Sequence, residues 1–238
     1  MYSKIFDNYQ QVIERIKTAA KLTGRDPDDI RLVVVTKTQP IEAIQEVVDA
    51  GAANLGENYV EEAIQKINNL KSYKRLNWHM IGHVQSRKAL LVYENFQFLH
   101  SLDSVKLAER LSRSSIENDR NLPVMLEINV GGEESKSGWN LSLDESWGSF
   151  FADIEIIRLL PGLKLTGVMT IPPFTDNPEG SRSYYKRLNM IKEMIANKFD
   201  LPDFSELSMG MSNDYEVAIQ EGSTWVRIGQ AIFGPRAK

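Results

Sequence analysis

The segment LVVVTKTQP, residues 32–40, is a short run of apolar residues that ends in a lysine and a proline. Three consecutive valines indicate a strand that is buried on both faces, as in a parallel sheet. The chain before it repeats apolar residues at helical spacing from Ile5 to Ala20, and Gly24 then closes this leading amphipathic helix. The pattern therefore predicts a helix followed by a buried strand, with Lys37 at the carboxyl end of that strand.

The same alternation of strand and helix continues outward to the end of the chain. Seven further strands are predicted, and most are separated by helical patterns: Ala53–Gly56, Asn77–Ile81, Phe96–Leu102, Leu122–Val130, Leu163–Ile171, Glu206–Met209 and Thr224–Ile228. Eight strands in 238 residues favour a closed (β/α)8 TIM-type barrel over an open doubly wound sheet. No change of composition marks a boundary, so residues 1–238 are expected to form a single α/β domain.

Composition narrows the class of protein before any motif is considered. The chain has no cysteine, which excludes disulfides, cysteine-ligated metals and a thiol nucleophile. A net charge of −4 without a basic block argues against nucleic acid as a partner. The polar start MYSKIFDNYQ and the lack of a long apolar run argue against a signal peptide and a membrane span. We expect a cytoplasmic protein, and a closed barrel without an apolar strip favours a monomer.

Lys37 is the first candidate functional residue, because a lysine is a poor choice for the end of a valine strand unless an amine is needed there. An ammonium group in a partly apolar barrel mouth is destabilised, so its pKa falls and the free amine can attack an aldehyde. The alternative is an ordinary solvated lysine at the end of a strand.

Two segments near the carboxyl terminus have the composition of an anion site: SMGMSND, residues 208–214, and STWVRIG, residues 223–229. Asn213 followed by Glu216 resembles a capping box, and the N–H groups of that helix start could receive phosphate oxygens beside the Ser212 hydroxyl. In barrels of this type a phosphate site often forms from the loops after strands 7 and 8. Ordinary capping and turn chemistry is the alternative for either segment alone.

Three further residues near the predicted barrel mouth are candidates for a ligand site. Arg227, if it points inward, places a permanent cation beside the lumen, whereas an outward side chain would form a surface salt bridge. Gly229 permits close approach of the backbone to a ligand. Asn58 follows the second strand and could bond a ring substituent, or it could simply cap the next helix.

His79 and His83 do not predict a metal site, because no carboxylate falls at ligand spacing beside them. His79 lies within a predicted strand and is expected to be a hydrogen-bonded core residue. The polar loop Gly131–Gly138 suits either a mobile lid or simple exposure to solvent.

Five motifs together carry a resemblance to a known family: Lys37, residues 79–86, residues 134–138, residues 209–214 and residues 222–229. In order and spacing the chain resembles the pyridoxal phosphate homeostasis protein family (YggS/PROSC) along nearly its whole length. The resemblance implies a barrel similar to the N-terminal domain of alanine racemase, of fold-type III, with pyridoxal 5′-phosphate (PLP) bound covalently. It also implies no established enzymatic reaction.

The resemblance assigns roles to particular positions. Lys37 would form the Schiff base with PLP, and Ser212 and Gly229 would contact the phosphate with backbone groups of Asn213 and Gln230. Arg227 would face the pyridine nitrogen, where a fixed cation discourages ring protonation and weakens the cofactor as an electron sink. The remaining residues that would lie at the cofactor are Asn58, beside the ring hydroxyl, and Met80, His83, Met169 and Met211.

Three functions remain open from the sequence. The first is a regulator or carrier that holds PLP for vitamin B6 and amino or keto acid homeostasis, with PLP and PLP-requiring apo-enzymes as partners. The second is a weak PLP-dependent amino-acid racemase, which needs a second acid/base group that alanine racemases take from an additional all-β domain. Because the sequence ends about ten residues after its eighth predicted strand, we expect that domain to be missing. The third is an aldolase that uses Lys37 directly on a phosphorylated sugar.

Overall fold

The structure is a computed structural model, and it describes residues 3–115, 120–142 and 147–235. Nine strands lie in these residues: β1 (Arg31–Val35), β2 (Asn54–Glu57), β3 (Asn77–Met80), β4 (Phe98–Leu102), β5 (Leu122–Asn129), β6 (Trp139–Asn140), β7 (Leu163–Met169), β8 (Glu206–Ser208) and β9 (Trp225–Ile228). The α-helices of the same residues are α1 (Lys4–Leu22), α2 (Ile41–Asp49), α3 (Val60–Asn69), α4 (Ala89–Asn95), α5 (Val105–Ser114), α6 (Trp147–Ile157), α7 (Arg182–Phe199), α8 (Tyr215–Gln220) and α9 (Gln230–Phe233).

Eight of these strands close into a parallel barrel. Its order is β1–β2–β3–β4–β5–β7–β8–β9, and β9 pairs with β1 to complete the ring. The predicted (β/α)8 barrel with a leading helix is therefore confirmed. The two-residue β6, which pairs with the end of β5, was not predicted because so short a strand has no readable period.

Several strand boundaries differ from the sequence prediction by one or two residues, and the start of β4 has a local reason. β4 begins at Phe98 and not at Phe96, because the Phe96 N–H donates to Val92 O at 3.0 Å and so ends α4. The helical pattern after β4 predicts a helix from Ser104 to about Asn118; α5 ends at Ser114, and residue 118 lies outside the described residues.

Alternation along the strands divides the buried side chains into two layers. A small cluster of Val33, Met125, Met169 and Trp225, with Phe98 packed against it, lies in the barrel lumen. The larger cluster lies between the outer face of the barrel and the helices. Since successive strand residues point to opposite faces, this division tells which residues of each strand face the lumen.

The leading helix α1 packs across the seam between the first and last parts of the barrel. It contacts α2, α8 and α9, and Asn8 Nδ2 donates to Ile232 O at 2.9 Å. Its start is capped by Ser3, whose Oγ accepts from the Phe6 N–H at 3.2 Å. Within the described residues, no helix has both the length and the apolar character to span a bilayer.

Candidate functional site

Lys37 lies two residues beyond β1, in a partly buried turn at the carboxyl-terminal mouth of the barrel. Both neighbours of this lysine are held by side chains that reach over from α3. Lys66 Nζ donates to Thr36 O at 2.7 Å, and the Thr38 N–H donates to Glu62 Oε1 at 2.6 Å. The turn that carries the candidate amine is therefore fixed on each side.

The anchor of this turn is a buried ionic cluster between β2 and α3. Lys66 Nζ also lies 2.8 Å from Glu57 Oε1 and 2.6 Å from Glu62 Oε1, and the Glu57 side chain is wholly buried. Burial raises the pKa of Glu57, while hydrogen bonds from Lys66 and Thr36 oppose that rise. The cluster holds Thr38 at a φ of 63°, an unfavourable conformation for a β-branched residue.

The two segments predicted to bind an anion meet at the mouth of the barrel. Ser212 Oγ accepts from the Ala231 N–H at 3.2 Å, which joins the loop after β8 to the start of α9. Among the described residues, no backbone carbonyl accepts from the N–H groups of Ser212, Asn213, Gly229 or Gln230. Unpaired N–H groups converging beside a hydroxyl form a cup suited to a phosphate group.

The capping box predicted from Asn213 and Glu216 is wrong. Helix α8 begins at Tyr215 with Asp214 as its N-cap residue, and Asp214 Oδ1 accepts from the Met211 N–H at 2.8 Å. Asn213 instead donates from its Nδ2 to Thr175 O at 3.0 Å. Asp214, one residue later, stabilises the tight turn that precedes the helix, because its carboxylate accepts a hydrogen bond from the start of that turn.

Gly229 leaves room that a side chain would fill. A Cβ at this position would lie 3.0 Å from Val35 O and 3.2 Å from Val35 Cβ, so even alanine would press on the end of β1. β1 leads directly to Lys37. The absence of a side chain therefore keeps the cup and the candidate amine close together.

Arg227 points into the lumen, which is the first of the two orientations left open by the sequence. It is 4% exposed, with Nη1 donating to Ser208 Oγ at 2.6 Å and Nη2 donating to Thr170 O at 2.8 Å. Burial lowers the pKa of Arg227, while the nearby Glu127 and the other acidic groups around it act in the opposite direction. A guanidinium remains charged at neutral pH, so a fixed cation stands below the mouth.

Asn58 lies at the mouth end of β2 and does not cap α3. The N-cap of that helix is Tyr59, and no side-chain bond closes it. Asn58 Oδ1 is buried and has no hydrogen-bond partner among the described residues. A Cβ on Gly82 would lie 2.6 Å from Asn58 O, so the two loops pack backbone to backbone. A buried amide oxygen without a partner fits a site that a polar ligand completes.

The other residues implied by the resemblance lie in different surroundings. Met169 faces the lumen, and Met211 is half-buried in the cup loop. His83 is an exposed mouth residue with its Nδ1 2.7 Å from Asp103 Oδ2. Met80 is fully buried in the layer between barrel and helices, so its side chain lies on the face of β3 away from the lumen, and its contact with the cofactor stays a prediction. Its neighbour His79 takes the lumen face, and alternation turns Met80 away.

Sequence reasoning missed Glu127 and Asp103. Glu127 follows lumen-facing Met125 by two residues on β5, is 8% exposed, and its Oε2 has no hydrogen-bond partner among the described residues. Burial raises the pKa of Glu127 to about 7, the Asp103 charge adds to the rise, and Arg227 opposes it. A charged residue inside an otherwise apolar strand was the available signal.

The polar loop Gly131–Gly138 is anchored at the mouth. Asn129 Nδ2 donates to Glu133 O at 2.9 Å, and Lys136 Nζ donates to Ile171 O at 3.2 Å. Ser137 Oγ lies 3.4 Å from His83 Nδ1. These contacts tie the loop to the ends of β3, β5 and β7. Neither a mobile lid nor simple exposure to solvent, the two descriptions predicted from the sequence, accounts for them.

Comparisons with known proteins agree with this architecture. The family model described as alanine racemase, N-terminal domain, matches residues 8–237. An alanine racemase of Clostridium difficile 630 superposes with a TM-score of 0.67 at 16% identity over 98% of this chain and 57% of that one, which is a likeness of fold alone. The barrel and the family match together define the class of this protein, which is that of barrels of the alanine racemase N-terminal type.

Relatives of much higher identity narrow the class. The pyridoxal phosphate homeostasis protein of Pseudomonas aeruginosa is 42% identical over 234 residues, 98% of this chain and 96% of that protein. The protein of the same name from Escherichia coli K12 is 40% identical over 239 residues, 98% and 97% of the two chains. The chain belongs to the family of pyridoxal phosphate homeostasis proteins.

One solved structure that is similar to this chain contains PLP. The structure of PipY from Synechococcus elongatus PCC7942 with PLP bound superposes with a TM-score of 0.80 at 32% identity. It covers 94% of this chain and 100% of PipY.

Proposed function

We propose that this protein binds PLP at the carboxyl-terminal mouth of its barrel and holds it through Lys37 for intracellular PLP homeostasis, without turning over a substrate. The observation that carries the proposal is the meeting of three features at one mouth. These are the turn of Lys37, the cup of free N–H groups around Ser212 and Gly229, and the buried Arg227. The relatives named for PLP homeostasis and the PLP complex of PipY support it.

The residues of the site match the chemistry of PLP. The phosphate requires N–H and hydroxyl donors, which the cup offers, and the ring requires a polar partner such as the unpaired Asn58 Oδ1. When bound, PLP supplies an aldehyde that reacts reversibly with primary amines. Lys37 offers such an amine, on a turn held by the buried cluster around Lys66. Arg227 places a positive charge in the lumen that disfavours a further proton nearby.

The first experiment is a visible absorbance spectrum of the purified protein with added PLP, before and after borohydride. We expect a yellow band that borohydride abolishes, and mass spectrometry should then find reduced PLP on the peptide that contains Lys37. Lys37→Ala should lose the covalent adduct, while Lys71→Ala, at an exposed turn after α3, should keep it. A colourless protein that takes up no PLP would refute the proposal. The cup would then be better explained by the aldolase hypothesis, in which it binds the phosphate of a sugar.

The alternative of a weak racemase is tested on the same sample. Buried Glu127, with a pKa raised to about 7, is a group able to exchange a proton at neutral pH, and this favours the alternative. The PLP-loaded protein is incubated with amino acids in deuterium oxide. Incorporation of deuterium at the α-carbon, lost in Glu127→Gln, would contradict a purely holding role; no incorporation supports it.

The wider role is also part of the proposal. We infer that the protein passes PLP to apo-enzymes in the cytoplasm and works as a monomer, in keeping with its mild net charge. Activation of an apo-enzyme by the loaded protein, faster than by Lys37→Ala mixed with PLP, would support transfer. Light scattering after size exclusion measures the oligomeric state, and a dimer mass would contradict the monomer.

A further inference from the structure

A chain of buried polar groups runs down the barrel lumen from Arg227. Arg227 Nη1 lies 2.6 Å from Ser208 Oγ, which lies 2.7 Å from His100 Nδ1. His100 Nε2 lies 2.9 Å from His79 Nδ1, and His79 Nε2 lies 3.3 Å from Asn54 Oδ1. Asn54 begins β2, so the chain extends from below the mouth to the opposite end of the barrel.

The direction of every hydrogen bond in this chain follows from the arginine. A guanidinium only donates, so Ser208 Oγ accepts from it, and the serine proton goes to His100 Nδ1. His100 must then carry its proton on Nε2 and donate to His79 Nδ1. His79 in turn carries its proton on Nε2 and donates to Asn54 Oδ1.

The reverse direction fails at both ends. It would leave the wholly buried Ser208 hydroxyl proton without an acceptor, because no third partner of Ser208 exists among the described residues. It would also require the Asn54 amide to turn over. Asn54 Oδ1 already accepts from Asn77 Nδ2 at 3.1 Å, so both amides would have to turn together.

Both histidines are held neutral and in place. Burial, together with the charge of Arg31, lowers the pKa of His79 to about 3. Burial also lowers the pKa of His100 well below its usual value, with added repulsion from His79, Arg227 and Arg31. The His79 ring stacks on Phe98 with 4.5 Å between ring centroids, which fixes its plane.

We propose that His79, His100 and Ser208 are positioning residues that fix the side chain of Arg227 through one directional hydrogen-bond chain. Each donor in the chain points away from Arg227, so the aligned dipoles present their negative ends to the guanidinium. The chain thus supports a buried cation that would otherwise be poorly solvated. The proposal rests on the proposed function in one respect, which is that Arg227 lies in the PLP site.

The chain itself is tested without PLP. The sequence has three histidines, so ¹⁵N-labelled histidine gives three ring systems in a long-range ¹H–¹⁵N correlation spectrum. We expect His79 and His100 to be neutral at pH 7 and at pH 5, each with its proton on Nε2. A proton on Nδ1 of either residue, or a charged ring at pH 7, would overturn the proposal.

The effect on Arg227 is tested with Ser208→Ala and a matched control. Ser112→Ala removes another buried serine hydroxyl, one that donates to Pro161 O at 2.8 Å far from the lumen. Ser208→Ala should shift the ring signals of His79, which Ser208 does not touch. It should also weaken PLP binding by about fivefold and move the visible band of bound PLP, while Ser112→Ala does none of these.

Three outcomes separate the proposals. A Ser208→Ala protein that matches Ser112→Ala in His79 signals and PLP affinity would refute the positioning role. A wild-type protein that binds no PLP but has both protons on Nε2 would refute the proposed function and support the chain. If Ser208→Ala does not fold, Ser208→Thr retains the hydroxyl and should keep the wild-type ring signals and PLP band; loss of either would count against the proposal.

Discussion

Replacing Lys66 with methionine removes the cation from the buried cluster that anchors the turn of Lys37. The Lys66 ammonium makes three hydrogen bonds, at 2.7 Å to Thr36 O, 2.8 Å to Glu57 Oε1 and 2.6 Å to Glu62 Oε1. Methionine preserves the length and apolar stem of the side chain but leaves the wholly buried Glu57 carboxylate without its counter-charge. Loss of one partner of a buried ion pair costs about 3–5 kcal/mol of unfolding free energy.

The loss of unfolding free energy in Lys66→Met should be larger at high pH than at low pH. Burial already raises the pKa of Glu57 and the hydrogen bond from Lys66 opposes this, so in Lys66→Met the pKa rises further. A group with a raised pKa in the folded state gives its full stability below the unfolded pKa and loses it as the pH rises through the folded pKa. Each pH unit in that window is worth about 1.4 kcal/mol, so the deficit should be at least about 1 kcal/mol larger at pH 8 than at pH 5.

Urea unfolding of wild type and Lys66→Met at pH 5 and pH 8 measures both quantities. Lys71→Met, at an exposed lysine just after α3, is the matched control and should change stability by less than about 0.5 kcal/mol. Adding Glu57→Gln to Lys66→Met removes the unpaired carboxylate and should recover part of the loss at pH 8. A deficit below about 1 kcal/mol at pH 8, or one that is equal at the two pH values, would refute the reasoning.

Three further changes test the mouth of the barrel. The unfolding free energy of Glu127→Gln, compared with that of wild type, should rise by up to about 3 kcal/mol between pH 5 and pH 8. The reason is that the pKa of Glu127 is raised to about 7, so the wild type loses stability as the pH rises towards that value. Urea unfolding of both proteins at the two pH values measures this, and a difference between them that is the same at both pH values would argue against it. Gly229→Ala should weaken PLP binding by roughly tenfold, because its Cβ would lie 3.0 Å from Val35 O. A spectrophotometric titration with PLP measures the affinity, and an affinity equal to that of wild type would mean that the phosphate cup lies elsewhere. Ser212→Ala should weaken PLP by about fivefold through loss of a hydroxyl that also accepts from Ala231 N, whereas Ser114→Ala on the distant α5 is expected to bind PLP as the wild type does.

The barrel and the approximate positions of its strands follow from sequence alone, because the periods of apolar residues are local properties of each segment. The valine run before Lys37, the alternation of strand and helix patterns, and the polar segments after the last two strands are all visible in the chain. Parallel barrel strands bring their carboxyl ends to one mouth, so the topology predicts that Lys37, Ser212 and Gly229 meet there.

Contacts between side chains were decided by the tertiary structure. Met80 and His79 are adjacent, and only the register of β3 beside β2 and β4 shows that His79 takes the lumen and Met80 the helix layer. Asp214, and not Asn213, holds the turn before α8, because the fold of that turn brings its carboxylate to the Met211 N–H.

The chain from Arg227 to Asn54 joins residues that lie as far as 173 positions apart in sequence, and the pKa of Glu127 depends on a charge from another strand end. Such contacts depend on which residues of neighbouring strands lie at the same level along the barrel axis. That register is set by closure of the whole barrel and not by the pattern of any one segment. The sequence by itself determined the fold and the kinds of groups at its mouth, while the closed barrel decided which of them touch and which carry charge.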